Sequence, residues 1–391
     1  MRITVISSKE RCGIQTYSKA LAAGFRANGH RVDEIGVGWW DSRALLRESG
    51  RIARDSELVV IEHEFAIFRN AALALAMARM RLAGKRILLS MHELEPDKFI
   101  NYHKIVGALH ERLRGPALGG LARIVWLALV VAQRMLRYRL TLWLLGALPA
   151  RIVVHSERAL AHAGLLTGDA SKVAQIPHFI EPLDGVAEPS GDGEEERRAA
   201  RRRLGLPQDR FIFISPGFIY RRKRLIEVIA ATPADALIVL SGTESKFDGA
   251  YLDEIRAYVA ARGLRNVVIN TDYDTLSDHV MAADVVVLFY KLTFQSGIAS
   301  HAIWAEKPCV FSDDPAFDLY EGAGLRAADE RELAHAMADI RRPEVAQPLR
   351  ARARVIKREL SPQAMALRYL AGLGTDEGAR AERVARGAGM R

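Results

Sequence analysis

The chain has 391 residues, too many for one ordinary hydrophobic core and enough for two domains of common size. Hydrophobic residues make up 49% and charged residues 26%, which excludes a disordered or collagen-like chain. The balance is basic, 56 Lys+Arg against 47 Asp+Glu, and fits nucleotide phosphates, acidic lipid or nucleic acid, among which charge alone does not choose.

Short apolar runs alternate with longer helical patterns, the signature of a parallel sheet with crossover helices. The chain enters directly on Arg2-Ile3-Thr4-Val5-Ile6, without the pattern of a secretory leader, so a cytoplasmic location is expected. Strand candidates in the first half are residues 2–6, 58–61, 86–90 and 151–154. His92 follows the third of these, and in an open α/β sheet that edge faces the ligand crevice. His63, on the neighbouring strand end, is its rival, and Glu62, Glu64 and Glu93 crowd the same region.

An insertion over residues 105–148 breaks the rhythm. Its centre, residues 124–132, is apolar all round; Arg134, Arg137 and Arg139 follow, then a second apolar stretch over 140–148. No uninterrupted run reaches the roughly 20 residues that a membrane-spanning helix needs. Arginines spaced among Trp126, Tyr138 and Trp143 suit a helical hairpin lying at a membrane surface, with guanidinium groups at lipid phosphates and rings at headgroup level. The other reading is a hairpin buried against its domain; the surface reading is preferred because buried arginines need partners.

Residues 183–203 are rich in Gly, Glu and Arg and read as a linker leading into a charged helix. The expected division is a first domain over 1–182 and a second over 204–360. A C-terminal helix over 361–372 is expected to pack back on the first domain, with a loose tail over 373–391. In the second half the strand candidates are 211–215, 236–241, 266–270, 285–289 and 308–311, with a helix over 250–262. Cys12 and Cys309, the only cysteines, are far apart, which argues against a disulfide framework.

Two turns in this half carry chemistry. The run Gly217-Phe218-Ile219-Tyr220-Arg221-Arg222-Lys223-Arg224 is a basic turn after an apolar strand. The stretch Phe294-Gln295-Ser296-Gly297-Ile298 follows another strand and opens a helix, whose free N–H groups and dipole would face an anion. Either could be an ordinary loop. Two phosphate-seeking turns in one domain point to a diphosphate ligand.

In this order these pieces resemble the family 4 retaining glycosyltransferases, over residues 1 to about 372. Arg11-Cys12-Gly13-Ile14-Gln15-Thr16-Tyr17 is similar to the family's glycine loop beside the donor phosphate and acceptor. Glu62-His63-Glu64 and Ser90-Met91-His92-Glu93 are similar to its cleft-facing strand ends. Gln175-Ile176-Pro177-His178 is similar to an "IPHG" element, with Phe179 in place of the glycine. The resemblance implies a GT-B fold: α/β, two facing Rossmann-like domains with a cleft between them, plus the helical insertion. It implies a nucleotide-diphosphate sugar as donor substrate, with no cofactor and no metal, and a hexose transferred with retention to a lipid-linked or polysaccharide acceptor at the cytoplasmic membrane face. By the same resemblance Lys223 is the diphosphate lysine and His92 touches the hexose, while Gly13, Gly217, Arg221, Arg222, Gln295, Ser296 and Gly297 surround the diphosphate. His63, Glu64 and Glu93 fall on the acceptor side, and no protein nucleophile is assigned. The family's two glutamates fall here at Thr293 and His301, on the sugar and ribose sides; neither is acidic, so donor recognition is expected to differ. Phe218 likewise replaces an arginine. A non-catalytic scaffold and a sugar-nucleotide 2-epimerase on the same fold are the alternatives. Nucleic-acid binding is disfavoured, since the arginines lack interleaved aromatic residues.

Overall fold

The computed structural model describes residues 1–10, 12–65, 67–92, 94, 120–161, 169–183, 185–186, 188–189, 191, 193–244, 248–290, 296–371 and 373. It divides into two compact units, one of residues 1–178 with 362–391, the other of residues 179–361. Glu93, Thr293, Gln295, residues 105–119 of the insertion and nearly all of the tail lie outside the described residues.

The first unit runs β1 (Arg2–Ser8), α1 (Gly13–Ala27), β2 (Arg31–Val37), α2 (Ser42–Asp55), β3 (Leu58–His63), α3 (Asn70–Leu82), β4 (Arg86–Met91), α4 (Gly120–Ala147), β5 (Arg151–Val154), α5 (Glu157–Ala161) and β6 (Val173–Gln175). Its six strands form one parallel sheet in the order β2-β1-β3-β4-β5-β6. β3 is buried along its whole length and β4 at every residue after Arg86, which is why β3 (Leu-Val-Val-Ile) and β4 (Ile-Leu-Leu) read as continuous apolar runs. One face, carrying Val59, Ile61, Ile87, Leu89, Ile152 and Val154, packs on Leu45 and Ile52 of α2, Leu73 and Met77 of α3, and Tyr138, Leu142 and Leu145 of α4.

The second unit runs α6 (Glu194–Leu204), β7 (Ile212–Pro216), α7 (Leu225–Ala231), β8 (Leu237–Ser241), α8 (Ala250–Ala261), β9 (Val267–Asn270), α9 (Leu276–Ala282), β10 (Val285–Leu288), α10 (Gly297–Trp304), β11 (Cys309–Ser312), β12 (Gly324–Ala327), α11 (Glu330–Asp339) and α12 (Pro343–Glu359). Its sheet is again parallel and six-stranded, in the order β12-β11-β10-β7-β8-β9. The charged run of the presumed linker is integral to this unit. In α6 the buried Arg201, 1% exposed, donates to Asp284 at 2.7 Å and to the carbonyls of Ala282, Gln208 and Arg210.

The last helix, α13 (Pro362–Leu370), belongs to the first unit and lies on α1. A Cβ on Gly24 would stand 2.2 Å from the Pro362 carbonyl oxygen, so only glycine lets the two backbones approach. Asn28 Nδ2 donates to the Gln363 carbonyl at 2.9 Å.

Over its described part the insertion is one continuous helix, α4, which runs through both apolar stretches and the arginines between them. Tyr138, Leu142 and Leu145 recur at helical spacing on the buried stripe, and the Tyr138 hydroxyl donates to the Leu94 carbonyl at 2.8 Å. On the remaining surface Trp126, Leu129, Leu136, Leu140 and Trp143 are exposed. No helix of the described residues is long and apolar enough to cross a membrane.

Candidate active site

In the first unit, side chains alternate across the sheet. Odd-numbered residues of β3 and β4 enter the apolar layer beneath α2, α3 and α4, so Glu62, Ser90 and His92 stand on the opposite face, beside α1 and α13. The same alternation in β5 places His155 there too. His63 therefore parts from His92: it sits in the apolar layer, stacked on Phe68 with ring centroids 5.9 Å apart and edge-on to Phe65. Its Nε2 lies 3.4 Å from Asn70 Oδ1, and burial lowers its pKa to about 4, which keeps it neutral.

On the other face Glu62 Oε2 accepts from His92 Nε2 at 2.7 Å, with both side chains almost wholly buried. Burial raises the Glu62 pKa to about 7, against the opposing pull of the Ser90 hydroxyl and the nearby His155. His155 Nδ1 donates to the Ile176 carbonyl at 2.8 Å, which leaves Nε2 to accept from Ser90 Oγ at 3.1 Å. Ser90 Oγ is in turn 3.0 Å from the Tyr369 hydroxyl, which lies 3.0 Å from that of Tyr17. The Tyr17 ring packs 4.8 Å from His92 and 4.7 Å from His178, and the His155 and His178 rings are 4.3 Å apart. Burial lowers the pKa of His155 to about 3 and holds that of His178 well below the usual histidine range.

Glu62, His92, His155, His178, Tyr17 and Tyr369 thus converge at the C-terminal strand ends. Of these, His92 was singled out by strand-end reasoning. His155 ends Arg151-Ile152-Val153-Val154 in the same manner and was legible by the same rule; Tyr369 carried no local signal. Gly13 opens α1 with open space where a Cβ would stand, and Glu64 lies just past β3, half-buried.

In the second unit, Gly217 leaves β7 with a φ of +90°, and its amide donates to the Ser241 carbonyl at 2.8 Å. A Cβ here would lie 2.7 Å from Lys223 Nζ and 3.0 Å from Cγ1 of Ile298, so Gly217 joins the basic turn to the first turn of α10. Lys223 is 3% exposed and donates to the Pro216 carbonyl; its ammonium is 5.2 Å from the Tyr290 ring centre. Burial lowers its pKa to about 7. Ser296 caps α10, accepting from the Ala299 amide at 3.1 Å, and a Cβ on Gly297 would meet nothing within 4 Å. Neither packing nor backbone conformation demands glycine at Gly297, which leaves its amide open to close approach.

The other basic residues of the turn are disposed differently. The Arg221 guanidinium grips Glu254 at 2.7 and 2.5 Å and lies over the Tyr251 ring, while Arg222 is exposed with its guanidinium over Tyr220. His301, one turn into α10, has Nε2 3.9 Å from a Glu181 carboxylate oxygen. Phe218 and Tyr273, both exposed, stack with centroids 6.3 Å apart and planes at 25°. The Lys223 ammonium and the first turn of α10 thus both adjoin Gly217, and a cation and a helix N-terminus are groups that favour an anion.

Two Rossmann-like domains, each with a six-stranded parallel sheet, make up the chain, and the fold is GT-B. Among solved structures it is similar to HepE of Anabaena, solved with UDP and with UDP-glucose; the UDP complex has a TM-score of 0.61 at 14% identity, covering 100% of both chains. It is also similar to sucrose-phosphate synthase of Thermosynechococcus elongatus, with a TM-score of 0.57 at 17% identity and 99% of each chain covered. A third is WaaG, a glycosyltransferase involved in lipopolysaccharide biosynthesis, with a TM-score of 0.52 at 14% identity and 98% of each chain covered. No protein-family model matches the sequence. No curated protein matches it either.

Proposed function

We propose that this chain is a retaining glycosyltransferase that moves a hexose from a nucleotide-diphosphate sugar to a lipid-linked or polysaccharide acceptor at the cytoplasmic membrane face. The observation that carries the reading is the junction of Gly217, Lys223 and the start of α10, where a buried ammonium stands beside a helix N-terminus. In transfer, the bond from the anomeric carbon to the phosphate oxygen breaks and negative charge gathers on the diphosphate. Lys223 and the amides of Gly297 and its neighbours would meet that charge, so transfer requires no divalent cation. The acceptor oxygen attacks on the face the phosphate leaves, and the departing phosphate takes its proton, which makes a protein nucleophile unnecessary. Glu62 fixes the ring of His92, the residue that would touch the hexose. Phe218 and Tyr273 would offer the base a stacking surface. That HepE has been solved with UDP and UDP-glucose supports a uridine donor.

The acceptor reading rests on α4, which exposes Trp126, Trp143 and four leucines beside Arg137 and Arg139. Such a surface suits a lipid interface, where apolar side chains enter the acyl boundary and guanidinium groups meet phosphates. The test is to incubate the purified full chain with a panel of nucleotide sugars, with and without a chelator. Hydrolysis or transfer of at least one sugar, insensitive to the chelator, is expected. Absence of both nucleotide binding and turnover across the panel would remove the catalytic reading.

A further inference from the structure

Besides its hydrogen bonds, the first-unit cluster has the donor set of a metal centre. One nitrogen each from His92, His155 and His178 lies within 4.8 Å of the other two. Two of the rings are oriented from behind as metal-binding imidazoles are. Glu62 accepts from Nε2 of His92, so the Nδ1 side carries the lone pair; the Ile176 carbonyl accepts from Nδ1 of His155, so Nε2 carries the lone pair that now accepts from Ser90 Oγ, and a metal would take that place while the serine hydroxyl turns to Tyr369. The third ring, His178, keeps a buried Nε2 with no hydrogen-bond partner among the described residues. Zinc holds imidazole nitrogens at about 2.0–2.1 Å, so the rings need to close by roughly 1 Å, a matter of small side-chain rotations.

We propose that His92, His155 and His178 bind one borderline divalent transition-metal ion, such as Zn2+ or Co2+, and that its binding stops hexose transfer by occupying His92. Three imidazoles with a carboxylate behind one of them favour such ions, whereas Mg2+ and Ca2+ take oxygen ligands. The inhibitory half rests on the glycosyltransferase reading; the site itself does not.

The experiment titrates Co2+ into the full chain after chelator treatment and follows visible absorption, with X-ray absorption of the Zn2+ form counting imidazole ligands. One equivalent with tetrahedral absorption, displaced by Zn2+ and indifferent to Mg2+, is expected. Glu62→Gln should weaken binding by roughly 10–100-fold, as loss of a carboxylate behind a ligating histidine does. His178→Gln should weaken it further, with circular dichroism confirming the fold. Absence of a one-equivalent site, or fewer than three imidazoles on the metal of the unmodified protein, overturns the site whether or not the variants fold. If the metal binds through these rings and transfer from the nucleotide sugar continues unchanged, the inhibitory role is overturned. A protein that binds the metal but transfers no sugar in its metal-free form places the failure in the proposed activity and leaves the site standing.

Discussion

The hydroxyls of Tyr17 and Tyr369, 352 residues apart in sequence, lie 3.0 Å from each other, and the second reaches Ser90 at the end of β4. The C-terminal helix is thereby tied into the polar cluster of the first unit. Tyr369→Phe removes a hydroxyl that serves two buried contacts, at a cost of about 1–3 kcal/mol. Thermal unfolding followed by near-ultraviolet circular dichroism should show the loss. Gly24→Val should cost more, since its Cβ would stand 2.2 Å from the Pro362 carbonyl oxygen. Limited proteolysis near Ser361 should then quicken; equal cleavage in variant and parent would mean that the helix is held elsewhere.

Lys223 makes stability depend on pH. Burial lowers its folded pKa from 10.5 to about 7. Between these values the unfolded chain binds a proton that the folded chain has released, so stability rises with pH from about 7 to 10.5. Below about 7 both states are protonated, and the destabilisation from the buried charge is complete. Lys223→Met should therefore melt at a higher temperature than the parent below pH 7, and the gap should close as pH rises toward 10.5. A gap independent of pH would show that the ammonium is not the cause.

The same lysine links ligand binding to pH. An anion selects its charged form, so affinity for UDP-glucose, whose phosphodiesters do not titrate in this range, should fall as pH rises above about 7. In Lys223→Met the affinity should be lower by at least about tenfold near pH 6.5, and flat with pH. Calorimetric titration at several pH values reads both effects, and a parent protein with no slope would separate Lys223 from the diphosphate.

Much of the fold was legible because central strands of a parallel sheet are buried on both faces and read as apolar runs; residues 151–154 match β5 without change. The strands that escaped, β2, β6 and β12, are all sheet edges. Their sequences, Arg-Val-Asp-Glu-Ile-Gly-Val, Val-Ala-Gln and Gly-Leu-Arg-Ala, are short or broken by polar residues because one side lacks a partner strand. The charged helix was expected, but not its anchor: Arg201 is buried because Asp284, 83 residues later, meets it. In the candidate site, His92 and Lys223 were visible as strand-end and turn residues. The convergence of His155, His178 and Tyr369 on His92 depends on three separate returns of the chain, which no local pattern records.

Two glycines at the proposed diphosphate site should respond in opposite ways. Gly297 has open space around a new Cβ and an ordinary φ, so Gly297→Ala should leave the melting temperature unchanged or raise stability by about 0.4–1 kcal/mol. It should nevertheless weaken nucleotide diphosphate binding, since a methyl group would stand beside the amide offered to the ligand. Gly217→Ala has neither freedom: its φ of +90° strains an L-residue, and the new carbon would sit 2.7 Å from Lys223 Nζ. Stability and affinity should fall together there. If Gly297→Ala binds nucleotide as tightly as the parent, the helix start is not a phosphate contact.

Helix α4 separates packing from surface attachment along one element. Leu142 is fully buried, and Leu142→Ala should destabilise the first unit by about 2–5 kcal/mol. Trp143, its neighbour in sequence, is 62% exposed, so Trp143→Ser should leave thermal stability within about 0.5 kcal/mol. If the exposed face meets lipid, the pair Trp126→Ser and Trp143→Ser should release the protein from anionic vesicles in a flotation assay. High salt should weaken whatever attachment Arg137 and Arg139 contribute. Flotation unchanged by both tryptophan replacements would assign that face to something other than a bilayer, because aromatic side chains at headgroup level are where interfacial binding concentrates.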